Sequence, residues 1–150
     1  MSNVTLDTTV LIKGIIPPGR IKKDSIYEEQ FKLHITARSI IHKIEINESV
    51  MNVTSTALIE VAAVAARLTG KEDRGILASD YVRKHGNVVG DIYLPDESIS
   101  IAAKTKISGF DSVFIACAKI TASTLITDDK QMYEAAVKIG INAQLLRDIK

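Results

Sequence analysis

The chain has 150 residues, 46% of them hydrophobic and 25% charged, which is the size and balance of one globular domain able to bury a core. A formal net charge of +1 excludes a globally polycationic nucleic-acid binder, so any contact of that kind has to use a local basic patch. The single cysteine, Cys117, excludes an internal disulfide. It lies in the apolar segment FIACAK and reads as a small buried hydrophobe. Nothing resembling a signal peptide opens the chain, and the run IEVAAVAA is too short to cross a bilayer, so a cytoplasmic protein with no membrane contact is expected.

In chain order, NVTLD predicts a short buried strand, and TTVLIKGII opens a helix or loop behind it. Pro17, Pro18 and Gly19 then interrupt the chain, because neither proline continues a helix. From about Asp24 to Ile46 apolar residues recur at helical spacing through Ile26, Tyr27, Phe31, Ile35, Ile41 and Ile44, as one long helix or two shorter ones. Its charged positions, among them Lys32, Arg38 and Lys43, form either a solvated face or a substrate-facing patch. SVMNVT has the β-branched character of a second strand, and Thr54 or Ser55 can cap the helix that follows. That helix runs to Leu68, is apolar almost all round and should be buried, with Gly70 as a left-handed C-terminal cap.

Lys71 to His85 predicts an amphipathic helix stopped by Gly86, and NVVGDIYLP a peripheral third strand. Asp96 can cap the helix ESISIAAKTKI, Gly109 breaks it, and Asp111 can cap DSVFIACAKI. STLIT is a strand, DKQMYEAAVKIG a helix closed at Gly140, and INAQLL the last strand. Strands alternating with helices argue for a mostly parallel sheet in one domain spanning residues 1–150.

Four stretches each put a carboxylate where such a fold has its active rim: Asp7 after the first strand, Glu60 in the second turn of a helix, Asp111 opening a helix, and Asp128–Asp129 after STLIT. In parallel α/β units the carboxyl ends of strands and the starts of the next helices share one edge, and ligands bind outside it. Each acid also has a plainer reading. Asp7, Asp111 and one of Asp128 or Asp129 could be helix caps, leaving the other of that pair to bind metal. Glu60 fits the plain reading worst, as a carboxylate among Ala, Leu, Ile and Val, where an ionised group is expensive unless a cation compensates it. Several carboxylates at close range need a counter-charge, and an all-oxygen set suits Mg²⁺ or Mn²⁺ rather than Zn²⁺. His34, His42 and His85 show no metal-like grouping. The chemistry this implies is metal-assisted phosphodiester hydrolysis.

Taken together and in order, LDTTVLI, STALIE, GFDSVFIACA and LITDD resemble the motifs of the PIN-domain nucleases, including VapC-type toxins of toxin–antitoxin pairs. The resemblance implies a PIN-like three-layer α/β/α sandwich and an Mg²⁺- or Mn²⁺-dependent ribonuclease. It implies that Asp7, Glu60, Asp111 and Asp129 hold the metal, with Thr8, Thr127 and Asp128 in supporting places. It further implies an RNA substrate, a cognate antitoxin and a homodimer. The charged, proline-marked stretch around 17–47 is longer than in a compact toxin of this type and reads as a helical insertion. Two other readings compete. One is a PIN-like metal- and RNA-binding module without significant turnover. The other is a receiver-type phosphoacceptor, which needs paired first-strand acids and a late lysine that LITDDK does not supply.

Overall fold

The computed structural model describes residues 1–150. Five strands form one sheet: β1 (Ser2–Leu6), β2 (Ser49–Thr54), β3 (Gly86–Val89), β4 (Thr124–Thr127) and β5 (Ala143–Leu145). Their order is β3-β2-β1-β4-β5, and every neighbouring pair is parallel. Seven helices connect and cover them: α1 (Thr8–Ile15), α2 (Ser25–Glu45), α3 (Ser55–Thr69), α4 (Glu72–His85), α5 (Pro95–Thr105), α6 (Gly109–Ile120) and α7 (Lys130–Lys138). The architecture is therefore the α/β/α sandwich expected, with a wholly parallel sheet.

Side chains alternate along each strand, which divides the core into two layers. The Thr5 hydroxyl meets Cys117 of α6 and Ser123, so the Asn3–Thr5 face of β1 is the one that α6 covers. Val4 and Leu6 point to the opposite layer, where α1 to α4 pack in series. Register is pinned by a run of asparagines across three strands. Asn87 Nδ2 donates to Asn52 Oδ1 at 3.1 Å, Asn52 Nδ2 to Asn3 Oδ1 at 2.6 Å, and Asn3 Nδ2 to the Thr121 carbonyl at 2.9 Å. A one-residue slip would turn Asn52 to the other face and leave these amides unpaired.

The segment 24–46 is one continuous helix, capped by Asp24, whose carboxylate accepts from the Tyr27 amide at 3.1 Å. It buries Ala37, Ile41 and Ile44 against α1 and the sheet, while Ile26, Phe31 and Ile35 remain largely exposed. A polar knot ties it to α4. Glu45 accepts from Arg38 at 2.7 Å and from the Tyr81 hydroxyl, and these donors hold its carboxyl down at about 2.

Three expectations are corrected. Helix α3 is not buried all round: Ile59 and Leu68 are 71% and 62% exposed, because its buried face is made by Ala57, Leu58, Val61 and Ala65. Asp96 does not cap α5. Leu94 occupies that position and Pro95 takes the first turn, where its missing amide donor leaves nothing unsatisfied. The third strand ends at Val89, and Asp91–Tyr93 forms a 3₁₀ turn instead of continuing it.

Helices α3 and α4 approach closely at Gly75. A Cβ built there would lie 2.4 Å from the Ala62 carbonyl oxygen and 3.0 Å from the Ala66 Cβ. Alanine favours a helix over glycine by about 1 kcal/mol, but a backbone carbonyl cannot swing aside, so the contact decides the sign. Gly75→Ala is expected to lower stability by about 1–3 kcal/mol in urea unfolding. An unchanged or higher midpoint would refute the close approach.

Candidate active site

Chain order explains why the acids share an edge. From β1 the chain builds outward through β2 to β3, then returns to place β4 on the other side of β1. The strand order thus reverses between β1 and β4, and a crevice forms outside the carboxyl ends at such a point. Asp7 follows β1 and Asp128–Asp129 follow β4, one on each side of this crevice. Glu60 comes from the second turn of α3, behind β2, and Asp111 from the first turn of α6.

Asp7 is 2% exposed and is held at both oxygens. Its Oδ1 accepts from the Val10 amide at 2.9 Å, capping α1, and from Thr9 Oγ1 at 2.8 Å. Its Oδ2 accepts from Thr127 Oγ1 at 2.5 Å. Burial pushes this carboxyl above the ordinary range, against the pull of Thr127, Val10 and Thr9 and of the Lys13 charge. The Thr127 hydroxyl also accepts from the Asp129 amide at 2.9 Å, so one side chain spans the crevice. Thr8 Oγ1 donates to Glu60 Oε2 at 2.7 Å, which ties the start of α1 to α3.

Asp111 is not the cap of α6. Ser108 has that place, its hydroxyl accepting from the Asp111 amide at 3.2 Å, and the Asp111 carboxylate is released to the rim. Burial pushes the Asp111 carboxyl up, the Ser108 hydroxyl opposes this, and the charges of Asp129 and Glu60 add to the rise. These three acids therefore feel one another. Asp129 does cap α7: its Oδ1 accepts from the Gln131 and Met132 amides at 2.8 and 3.2 Å, and its Oδ2 stays free of protein partners. Asp128 differs. Lys13 Nζ lies 2.8 Å from its Oδ2 and Arg147 Nη2 3.1 Å from its Oδ1, so both oxygens are occupied.

Sequence reasoning placed the acids and missed Lys13 and Arg147. Lys13 is the only charged residue of α1, and that interruption of an apolar helix was the available signal. Arg147 sits in the 3₁₀ turn Leu146–Asp148, where nothing in the local pattern marks it. Two clefts run beside α1. One of about 360 Å³ is lined by residues including Gly14, His34, Arg38 and Tyr81, and one of about 240 Å³ includes Lys13 and Pro17; neither contains the four acids.

Does the rim suit a divalent cation? No lysine or arginine forms an ion pair with Asp7, Glu60, Asp111 or Asp129. Their donor atoms are all oxygen, and the mutual repulsion felt at Asp111 calls for positive charge. No three of these side chains close to metal-ligand separation. Such a set fits a hard ion that retains much of its water shell, as Mg²⁺ does.

The chain is thus of the parallel α/β class, with acids that form no ion pair at the point where its strand order reverses. The family model described as the PIN domain matches residues 4–138, and the chain belongs to this family of nucleases. Among solved structures it is similar to one of VapBC2 from Rickettsia felis bound to a DNA fragment from their promoter, with a TM-score of 0.63, 11% identity, and 95% of this chain and 98% of that chain covered. It is also similar to FitAcB from Neisseria gonorrhoeae, with a TM-score of 0.57, 14% identity and coverage of 97% and 99%. A third similar structure is a domain of a functionally unknown protein from Methanocaldococcus jannaschii, with a TM-score of 0.55, 22% identity and coverage of 100% and 94%. No curated protein sequence matches the chain. No helix is long and apolar enough to cross a membrane.

The raised Asp111 carboxyl sets a pH dependence. A folded-state value above the unfolded one means the folded form binds the proton more tightly, so metal-free stability falls as pH rises through that interval. Asp111→Asn removes the loss. The variant should therefore melt above wild type at pH 7, and the difference should close as the pH falls into the acid range where the carboxyl is protonated in both states. Thermal melts of the chelated protein across pH check this, and a lower Tm for the variant at pH 7 contradicts it.

Proposed function

We propose that the protein is a metal-dependent endoribonuclease, and that it acts as the toxin of a toxin–antitoxin pair. The observation that supports this most is the rim itself: four carboxylates without a lysine or arginine partner, flanking the strand-order switch of a PIN domain. Asp7, Glu60, Asp111 and Asp129 would hold Mg²⁺ or Mn²⁺, which when bound supplies positive charge to an attacked phosphodiester and acidifies a water. Asp129 is chosen over Asp128 as the fourth acid because it keeps an unoccupied oxygen, whereas Lys13 and Arg147 take both oxygens of Asp128.

The chain's own contribution is positioning. Thr127 fixes the rotation of the Asp7 carboxylate and the loop carrying Asp129 in one contact, and Thr8 fixes Glu60. Capping bonds to α1 and α7 each engage one oxygen of Asp7 and Asp129, so neither carboxylate turns freely. Groups held in this way lose little entropy when they meet substrate.

The toxin assignment and a protein partner are supported by the similar structures of VapBC2 and FitAcB, both of which are complexes by their names. We further infer a homodimer acting in the cytoplasm on RNA. A module that binds metal and RNA without turnover is the alternative, and it has no structural observation in its favour.

Cleavage of unstructured and structured RNAs is expected with Mn²⁺ or Mg²⁺ and not with chelator. Asp7→Asn and Glu60→Gln should each lower the rate by on the order of 10²–10³-fold, the effect typical of losing one group that stabilises transition-state charge. Cleavage that survives chelation and both substitutions would sink the assignment. Metal binding without cleavage of any RNA would select the binding module.

A further inference from the structure

The near-neutral chain has to find its grip on a polyanion locally, and the structure offers one place beside the acids. Asp128 directly precedes Asp129 and is partly buried, its side chain 9% exposed. Lys13 Nζ stands 2.8 Å from its Oδ2. From the other side Arg147 donates through Nη2 at 3.1 Å and Nε at 3.3 Å to Oδ1, and through Nη2 at 3.2 Å to the Asp128 carbonyl. Resting on the ribonuclease reading above, we propose that Lys13 and Arg147, both braced by Asp128, form a clamp for a backbone phosphate of the RNA next to the acidic rim.

The charge balance supports the clamp. Two cations share one carboxylate, so the cluster carries a surplus positive charge beside four acids that form no ion pair of their own. One cation would suffice to neutralise Asp128, and an exposed second ion pair adds little stability. Donor capacity is also left over. An ammonium has three donors and a guanidinium five, and these bonds leave two on Lys13 and the whole Nη1 group of Arg147 unused. The side chains are 32% and 52% exposed, so those donors can be reached from solvent.

Position and order add to this. Lys13 lies on α1, the helix that Asp7 caps, and its charge is felt at the Asp7 carboxyl. Arg147 reaches the same point from the turn after β5, so the two cations approach Asp128 from opposite ends of the chain. The partly buried Asp128 carboxylate holds both in place before substrate arrives, which reduces the entropy lost on gripping a phosphate. An acidic rim would otherwise repel the strand it cuts. The clamp offsets that repulsion next to the reacting acids without supplying a ligand to them.

The test is equilibrium binding of a short fluorescein-labelled oligouridylate in chelator, which stops metal-dependent cleavage, over a salt series. Wild type should bind at low salt. Lys13→Met and Arg147→Met should each weaken binding about three- to tenfold and lower the slope of log K against log salt by about 0.7, the value per phosphate contact on a single strand. The double variant should lower it by about 1.4, and Lys13→Arg should restore the wild-type slope. Unchanged slopes in variants that melt cooperatively, or no RNA binding by wild type, overturn the clamp. So does loss of binding to polyglutamate with RNA binding intact, which would assign the cations to an acidic protein partner. These readouts do not depend on turnover, so failure of the clamp is separate from failure of the nuclease reading, which the cleavage assay with Asp7→Asn decides.

Discussion

The Thr127 hydroxyl joins the two halves of the rim, and the rest of the site is built around that contact. It donates to Asp7 and accepts from the Asp129 amide, so a side chain at the end of β4 sets both the rotation of one acid and the path of the loop that carries another. The contact exists because β1 and β4 are neighbours in the sheet although more than a hundred residues lie between them. Parallel pairing brings both carboxyl ends to the same edge, and the reversal of strand order opens the crevice there. An acid buried as deeply as Asp7 is tolerable only with such donors in place.

Around this centre the charges fall into two groups. Asp7, Glu60 and Asp129 have hydroxyl or amide partners, and none of these three or Asp111 pairs with a cationic side chain, whereas Asp128, next to Asp129, takes Lys13 and Arg147 to itself. Adjacent residues of identical chemistry thus do opposite things, and the difference comes from the helix that follows. Asp129 stands where the first amides of α7 need an acceptor, while Asp128 is turned towards α1 and the chain end.

Much of the architecture was legible because its signals are local. Apolar runs of strand length, hydroxyls or acids before helices, and Gly70 and Gly140 with positive φ mark nearly every boundary. The acids were visible because ionised groups are rare inside apolar segments. Legibility failed where two residues compete for one role. Ser108 and Asp111 are both good caps, and only the three-dimensional path of the chain decides that Ser108 caps and Asp111 projects. It failed again at α3, whose composition suggests complete burial. The helix is instead covered by α4 at a glycine contact that leaves Ile59 in solvent, and composition does not say which neighbours arrive. Lys13 and Arg147 find each other through Asp128, and no window of sequence contains all three.

The asparagine run across β3, β2 and β1 has a consequence for how mutations in this protein will be interpreted. Asn3, Asn52 and Asn87 touch neither the rim nor any of its hydroxyls, yet they fix which residue of each strand stands opposite which. From Asn3 to Asp7 is four residues of extended chain, roughly 13 Å. A scan for loss of activity would therefore flag these amides as if they were site residues. The sheet works as a ruler, and its graduations are marked at the end away from the measurement.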